Sequence, residues 1–308
     1  RWGAKDGVGQ RLMDHPSISL SSFIKPHARI REHTRRHIHA GIRYSSNLPG
    51  IPKGDMFVAV ISKSAWHAVG EQIASFITFV NKTYSETGQV KLASRDWRAE
   101  PVVEFNLLSD KRDLDRLMAG FKKMAVLQLS EPMKAVTDNP FPASYSDRVR
   151  QIGVVNNKNK VLTAILARLL DGPSALRKYM IDNFVIEGFT FDQVMTDDEA
   201  LEAFIRKAAI GVWHASCTCR MGRADDPMSV APKAPPRAIA PIPLASPLTR
   251  PPLSAKLLIV FDSHPRFSCL FKHFLTNVVH TCGNRCDSAG MRIASRNFGS
   301  KLVVEGFE

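Results

Sequence analysis

The sequence predicts an α+β fold, on three observations. Residues 17 to about 106 are short runs rich in β-branched and aromatic residues, broken by turn signals. From residue 109 the apolar spacing turns helical. Strands and helices are thus segregated along the chain, with no strand–helix–strand alternation and no Gly-rich crossover of the kind a parallel dinucleotide-binding sheet needs.

The predicted strands are Ile18 to Ile24, Asp55 to Ile61, Phe76 to Val80, Gln89 to Leu92 and Val102 to Phe105. Pro49-Gly50, Pro52-Lys53-Gly54 and Thr87-Gly88 separate them as turns. Phe76 to Leu92 reads as an antiparallel hairpin closed across a polar loop ending in Gly88.

The first helix starts at a cap at Ser109-Asp110, after which Leu114, Leu117, Met118, Phe121, Met124 and Ala125 recur at helical spacing. Further helices are expected over Ser146 to Val155, over Val161 to Leu170 (stopped by Gly172-Pro173) and from Ser174 onward. Thr196-Asp197-Asp198-Glu199 has the spacing of a capping box. The helix it opens carries Ala200, Leu201, Phe204, Ile205 and Ala208 on one face and runs to Gly211.

After Val230 the character changes. Residues 231 to 252 hold prolines at 232, 235, 236, 241, 243, 247, 251 and 252, which excludes helix and central strand, so 231–254 is expected to be extended or of low order. Beyond it, a short apolar run at Leu257 to Phe261 is followed by scattered His, Cys and Arg without period, and no element is assigned over 255–308.

Composition bounds the function classes. At 308 residues, 44% hydrophobic and 23% charged, the chain has the make-up of a soluble globular protein. No apolar run is long enough for a transmembrane segment. The first residue is Arg1 rather than Met, which points to a truncated or processed start, so the lack of a leader carries no information. A net charge of +13 invites a nucleic-acid reading, and Arg29, Arg31, Arg35 and Arg36 cluster with His33, His37 and His39. No recognition helix, zinc finger or aromatic platform accompanies them, so specific nucleic-acid binding is not expected. Cys217, Cys219, Cys269, Cys282 and Cys286 are an odd, uneven set, unsuited to a disulfide scaffold; a reducing, cytoplasmic setting follows.

The richest stretch is Trp213-His214-Ala215-Ser216-Cys217-Thr218-Cys219-Arg220-Met221-Gly222, which sets an imidazole beside an aromatic residue and ahead of small, turn-forming ones. It resembles the active-site histidine motif of the glucose–methanol–choline (GMC) family of flavin oxidoreductases, in its choline-dehydrogenase-like form. Gly7-Val8-Gly9-Gln10-Arg11-Leu12-Met13-Asp14-His15-Pro16 is similar to the segment that family carries between its flavin-binding and substrate-binding portions. Gly88 to Ser94, Pro101, Phe105 to Asp110 and Asp113-Leu114 resemble the strand-to-helix passage of its C-terminal domain, and Asp225-Asp226-Pro227-Met228-Ser229-Val230 also fits. The matches run in family order over residues 7 to 230.

The resemblance implies an antiparallel sheet layered with helices, divided as a flavin-domain junction at 1–16, a substrate-binding domain at 17–230 and a tail without family likeness at 231–308. It implies FAD as cofactor, a small-molecule alcohol as substrate and His214 as the base. An alkoxide donates hydride far better than a neutral alcohol, and an unperturbed imidazole, titrating near ~6.5, suits proton removal. Trp213 is a candidate substrate-binding wall or, equally, a core aromatic; Arg220 is a candidate partner for a nearby carbonyl or carboxylate; His15 is expected to be structural. Residues holding the flavin are not assigned.

The departures matter too. The Gly-rich dinucleotide fingerprint does not occur, and after Val230 nothing matches the family's second catalytic Asn or His; Gly283-Asn284-Arg285 is no substitute. The tail resembles an altered reading frame or a misjoined exon. The expectation is a fragment of an FAD-dependent alcohol oxidoreductase that does not turn over as this chain. The alternative is a non-enzymatic basic module that keeps the domain for interaction. No metal is expected, because Cys217-x-Cys219 and Cys282-x3-Cys286 lack matched zinc spacing. A Cys217 nucleophile has no orienting partner in sequence, and Asp225 with Asp226 reads as solvated loop charge.

Overall fold

The main path of the larger sheet is five strands, β2 (Pro16–Ile24), β3 (Ile38–Tyr44), β4 (Met56–Ile61), β5 (Ile73–Val80) and β8 (Thr137–Pro142), paired antiparallel in the order β3–β4–β5–β2–β8. The computed structural model describes residues 6–30, 37–222, 225, 226, 228 and 229, and the backbone of three strands at 258–262, 293–298 and 301–306. The described residues of 17–81, 114–209 and 255–308 form one unit, and those of 1–16, 82–113 and 210–254 another. The architecture is α+β with antiparallel sheets.

In the first unit, β2 is buried at every position but Ser19, although four of its nine residues are serine. Its polarity is absorbed across the ladder. Ser21 lies opposite Ser75 on β5, with their hydroxyls 2.8 Å apart, and the Tyr145 hydroxyl approaches Ser21 at 3.3 Å. Buried hydroxyls that find partners leave the strand free to be covered on both faces. One cover is a cluster of Phe23, Ile73, Phe141, Leu170, Ile181, Val185 and Ile186. Burying side chains of this size contributes roughly 1.5–3 kcal/mol each before entropy is charged against it.

The helix α1 (Lys111–Gln128) begins where the sequence predicts, with the Asp110 carboxylate accepting the Arg112 N–H at 2.9 Å. Leu114, Leu117, Phe121, Met124 and Ala125 are buried, as the spacing requires. Gly120 permits close approach to the sheet: a Cβ there would lie 2.8 Å from the Tyr44 hydroxyl and 2.9 Å from a Thr78 methyl. Next come α2 (Glu131–Val136), α3 (Asp147–Ile152), α4 (Asn157–Leu170) and α5 (Ser174–Met180). Then α6 (Phe191–Thr196) leads into α7 (Asp198–Ala208), which buries Leu201, Phe204 and Ile205 and sets Phe204 edge-on to Phe121 at 5.5 Å.

Two local elements differ from what the sequence predicts. The capping box belongs to Thr190 and Gln193 at the head of α6. Thr196 instead closes α6, donating its hydroxyl to the Asp192 carbonyl, while Asp197 alone caps α7 by accepting the Glu199 N–H. The Phe76–Leu92 hairpin does not form. β5 pairs with β4 and β2, whereas β6 (Gly88–Lys91) pairs with β1 (Gln10–Leu12) and β7 (Val102–Glu104) as the small sheet of the second unit. The physical reason is Gly88. It is no turn residue: a Cβ there would lie 2.3 Å from the Leu12 carbonyl oxygen and 2.8 Å from that of Phe105, so glycine serves the closeness of three backbones.

In that second unit the buried Asp113 gathers the stretch before α1, accepting from the hydroxyls of Thr83 and Ser85 and the N–H groups of Tyr84 and Ser85. Within 255–308, where the sequence assigned no element, Leu258–Asp262 and Ile293–Phe298 both pair antiparallel with Lys301–Gly306. The expectation for 231–254 lies outside the described residues, as does Gly283-Asn284-Arg285. Among the described residues no helix is long and apolar enough to cross a membrane.

Candidate active site

The stretch carrying His214 follows directly from the end of α7. The helix stops at Ala208, Ala209 donates to the Ile205 carbonyl, and the chain continues through the two-residue strand Ile210–Gly211. Trp213 then takes a left-handed conformation, φ +65°, and Cys217 another at φ +73°. For a residue as bulky as tryptophan this region is an outlier that costs on the order of 1–3 kcal/mol.

What holds the stretch is the segment at residues 7–15. Gly9 donates its N–H to the Thr218 carbonyl at 2.8 Å, and Met13 and Ser216 exchange backbone hydrogen bonds at 3.1 and 2.9 Å. Gly7 presses on Met228, where a Cβ would fall 2.0 Å from the carbonyl oxygen. The centre of the clasp is Asp14, only 3% exposed. Its Oδ1 accepts the N–H groups of His15 at 2.7 Å and His214 at 3.1 Å, and its Oδ2 accepts that of Trp213 at 3.0 Å. Gly211 makes room for it, since a Cβ there would lie 2.3 Å from Oδ2.

With the backbone tethered, the side chains point outward. His214 is exposed. His15 is half-buried, its ring edge-on to that of His214 with centroids 5.5 Å apart. Trp213 is 78% exposed and edge-on to Phe105 at 6.4 Å, so the core-aromatic reading is set aside. Cys217 and Cys219 are free thiols.

Arg220 meets a carboxylate: its Nη2 donates to Asp226 Oδ2 at 2.6 Å. Asp226 is more than a solvated loop charge. Its Oδ1 accepts the Met228 N–H at 2.9 Å, its carbonyl accepts the Ser229 hydroxyl at 3.0 Å, and Ser229 is buried. The Met228 amide first, and Arg220 second, hold the Asp226 carboxyl below its ordinary range. Among the described residues no three His, Cys, Asp or Glu are grouped to hold a metal. Arg29 of the basic cluster is engaged within the fold, forked onto Asp171 and lying over the Phe23 ring, while 31–36 fall outside the described residues.

Sequence reasoning brought His214, Trp213, His15 and Arg220 forward and missed Asp14. The one signal for it was position, directly ahead of His15-Pro16 in a segment already singled out. A carboxylate's burial is not legible from its neighbours in sequence.

Comparison with known proteins places the chain further. Residues 83–233 match the family model described as GMC oxidoreductase. The 5-(hydroxymethyl)furfural oxidase of Methylovorus sp. (strain MP688) is 31% identical over 234 residues, covering 75% of this chain and 36% of that protein. Patulin synthase of Aspergillus clavatus is 27% identical over 143 residues, covering 46% of this chain and 15% of that one. The chain thus spans about a third or less of the length of these relatives. Among solved structures, formate oxidase of Aspergillus oryzae RIB40 aligns with a TM-score of 0.46 at 12% identity, over 70% of this chain and 38% of that one. Pyridoxine 4-oxidase from Mesorbium loti gives 0.42 at 14%, over 75% and 36%.

Proposed function

Because the chain belongs to the GMC oxidoreductase family through residues 83–233, we propose that it is the substrate-binding, proton-abstracting portion of an FAD-dependent oxidoreductase acting on CH–OH groups. His214 is the base. The observation that carries this reading is an exposed imidazole on a backbone fixed at two successive amides by one buried carboxylate. The name of the Methylovorus relative, which specifies a hydroxymethyl group, supports a small alcohol as substrate.

The residues present fit one side of the chemistry that FAD would need. Trp213 and His214 are consecutive in sequence, and both present exposed rings, an apolar indole and an imidazole that can accept a proton. No residue of this chain is assigned to the dinucleotide. When bound, FAD supplies the acceptor for the two electrons that leave the alcohol carbon.

The chain's own residues act before and around that event. A ring nitrogen of His214 takes the hydroxyl proton, which makes the adjoining carbon a competent hydride donor; base catalysis of this kind contributes roughly 10²–10⁴-fold. Trp213 lines the approach and limits how the carbon can lie. Arg220 stays with Asp226, shaping the return of the chain rather than meeting substrate.

The test reconstitutes the chain with FAD and a flavin-binding half, mixes this FAD-loaded enzyme with an alcohol without oxygen, and follows the bleaching of oxidised flavin. His214→Gln is expected to slow bleaching by about 10²–10⁴-fold with flavin content unchanged. Bleaching at the wild-type rate in that variant would overturn the assignment.

A further inference from the structure

We propose that Asp14 is the positioning residue for the base, acting on His214 through the backbone rather than through the imidazole. The inference rests on the reading of His214 as base and adds a residue that reading does not contain. Asp14 lies 200 positions from His214 in sequence, yet its carboxylate accepts the amide of His214 and that of the residue before it. At 3% exposure these charge-assisted bonds are made away from water, where they are strongest.

The geometry assigns a task to each oxygen. Oδ2, on the Trp213 amide, holds a tryptophan in a left-handed conformation it would not keep unaided. Oδ1, on the His15 and His214 amides, fixes two peptides: the one leading to Pro16 and the one from which the base projects. The imidazole is exposed and meets the His15 ring edge-on, while the direction of the His214 Cα–Cβ bond is set by this peptide. A base has to come within ~2.6–3.2 Å of the hydroxyl it deprotonates, and a displacement of about 1 Å can cost ~10²-fold. Gly211 completes the device by leaving the carboxylate its space.

The test uses Asp14→Asn and Asp14→Ala, with Gly211→Ala as a variant that keeps the carboxylate but forces it aside. In the full chain without flavin, amide hydrogen exchange at Trp213 and His214 is expected to quicken at least about tenfold. In the FAD-loaded enzyme, kcat per bound flavin is expected to fall about 10- to 100-fold with KM within about twofold. A merely structural role would lower the yield of flavin-loaded enzyme and leave kcat per flavin alone. Faster exchange with unchanged kcat per flavin, or unchanged exchange in all three variants, overturns the proposal. Should His214→Gln turn over normally, the base reading fails and takes this inference with it. Should His214→Gln be slow while the Asp14 and Gly211 variants run at the wild-type rate, only the positioning role fails.

Discussion

Asp14 and His214 are joined by a 3.1 Å hydrogen bond from the histidine amide to a buried carboxylate oxygen, across 200 positions of chain. The bond shows how the second unit is built, from distant stretches that complete one another's backbone hydrogen bonds. Gly7, Gly9, Met13 and Asp14 each meet a residue between 211 and 228. Each contact is local and modest; the device works because they act on one short stretch. That is why motifs far apart in sequence turn out to be one object in space.

Asp113 performs the same service at the head of α1, and its loss has a calculable cost. The carboxylate is fully buried and receives two hydroxyls and two amides from Thr83, Tyr84 and Ser85. Asp113→Ala strands those donors away from water, so unfolding in urea is expected to show a loss of about 3 kcal/mol or more. A loss below ~1 kcal/mol would mean that water or another acceptor takes over.

His67 makes stability depend on pH. Its ring Nδ1 accepts the Gly70 N–H at 3.0 Å and caps the short turn Ala68–Gln72, which only an unprotonated nitrogen can do. Burial lowers its pKa, partly opposed by a backbone hydrogen bond. With the folded-state value below the unfolded ~6.5, the unfolded chain binds the proton first. The stability conferred by the neutral ring is whole above that unfolded value and is lost as pH falls through the folded one. Thermal melts from about pH 7.5 down to about pH 5 should fall more steeply for wild type than for His67→Asn, which caps without titrating. Parallel slopes would show that His67 is not the group responsible.

The helical half of the fold was legible because its burial follows a single period. Leu114, Leu117 and Phe121 on α1, and Leu201, Phe204 and Ile205 on α7, are buried as their spacing requires. What escaped was structure that uses breaker residues. β3 contains Gly41, where a Cβ would strike the Phe57 ring at 2.4 Å, so a residue that reads as a breaker serves close cross-strand packing. β8 holds Pro140 and Pro142, tolerated because it is the last strand in the sheet order, where a missing N–H is least costly. In the candidate site, the stretch carrying His214 stood out through its resemblance, and Asp14 did not. The residue's role lies in which distant amides fold back upon it, and no local pattern encodes that.

The buried pair Arg116–Asp55 separates two accounts of stability. Both side chains are fully buried, with Nη1 and Oδ2 3.7 Å apart, and Asp55 also accepts the Ser46 N–H at 2.8 Å. Beside them the Tyr44 phenol is pushed well above its ordinary range, first by burial and then by the charge of Asp55, so it stays protonated. Removing one charge leaves the other uncompensated, so Arg116→Met alone is expected to cost about 3–5 kcal/mol. Removing both is gentler, because desolvation of two ions offsets much of their attraction. The double variant Arg116→Met with Asp55→Asn, which keeps an acceptor for Ser46, should therefore be less destabilised than the two single losses added together, by at least ~1 kcal/mol in urea unfolding. Strict additivity across the four chains would mean that the two charges do not interact, and that Arg116 contributes through packing alone.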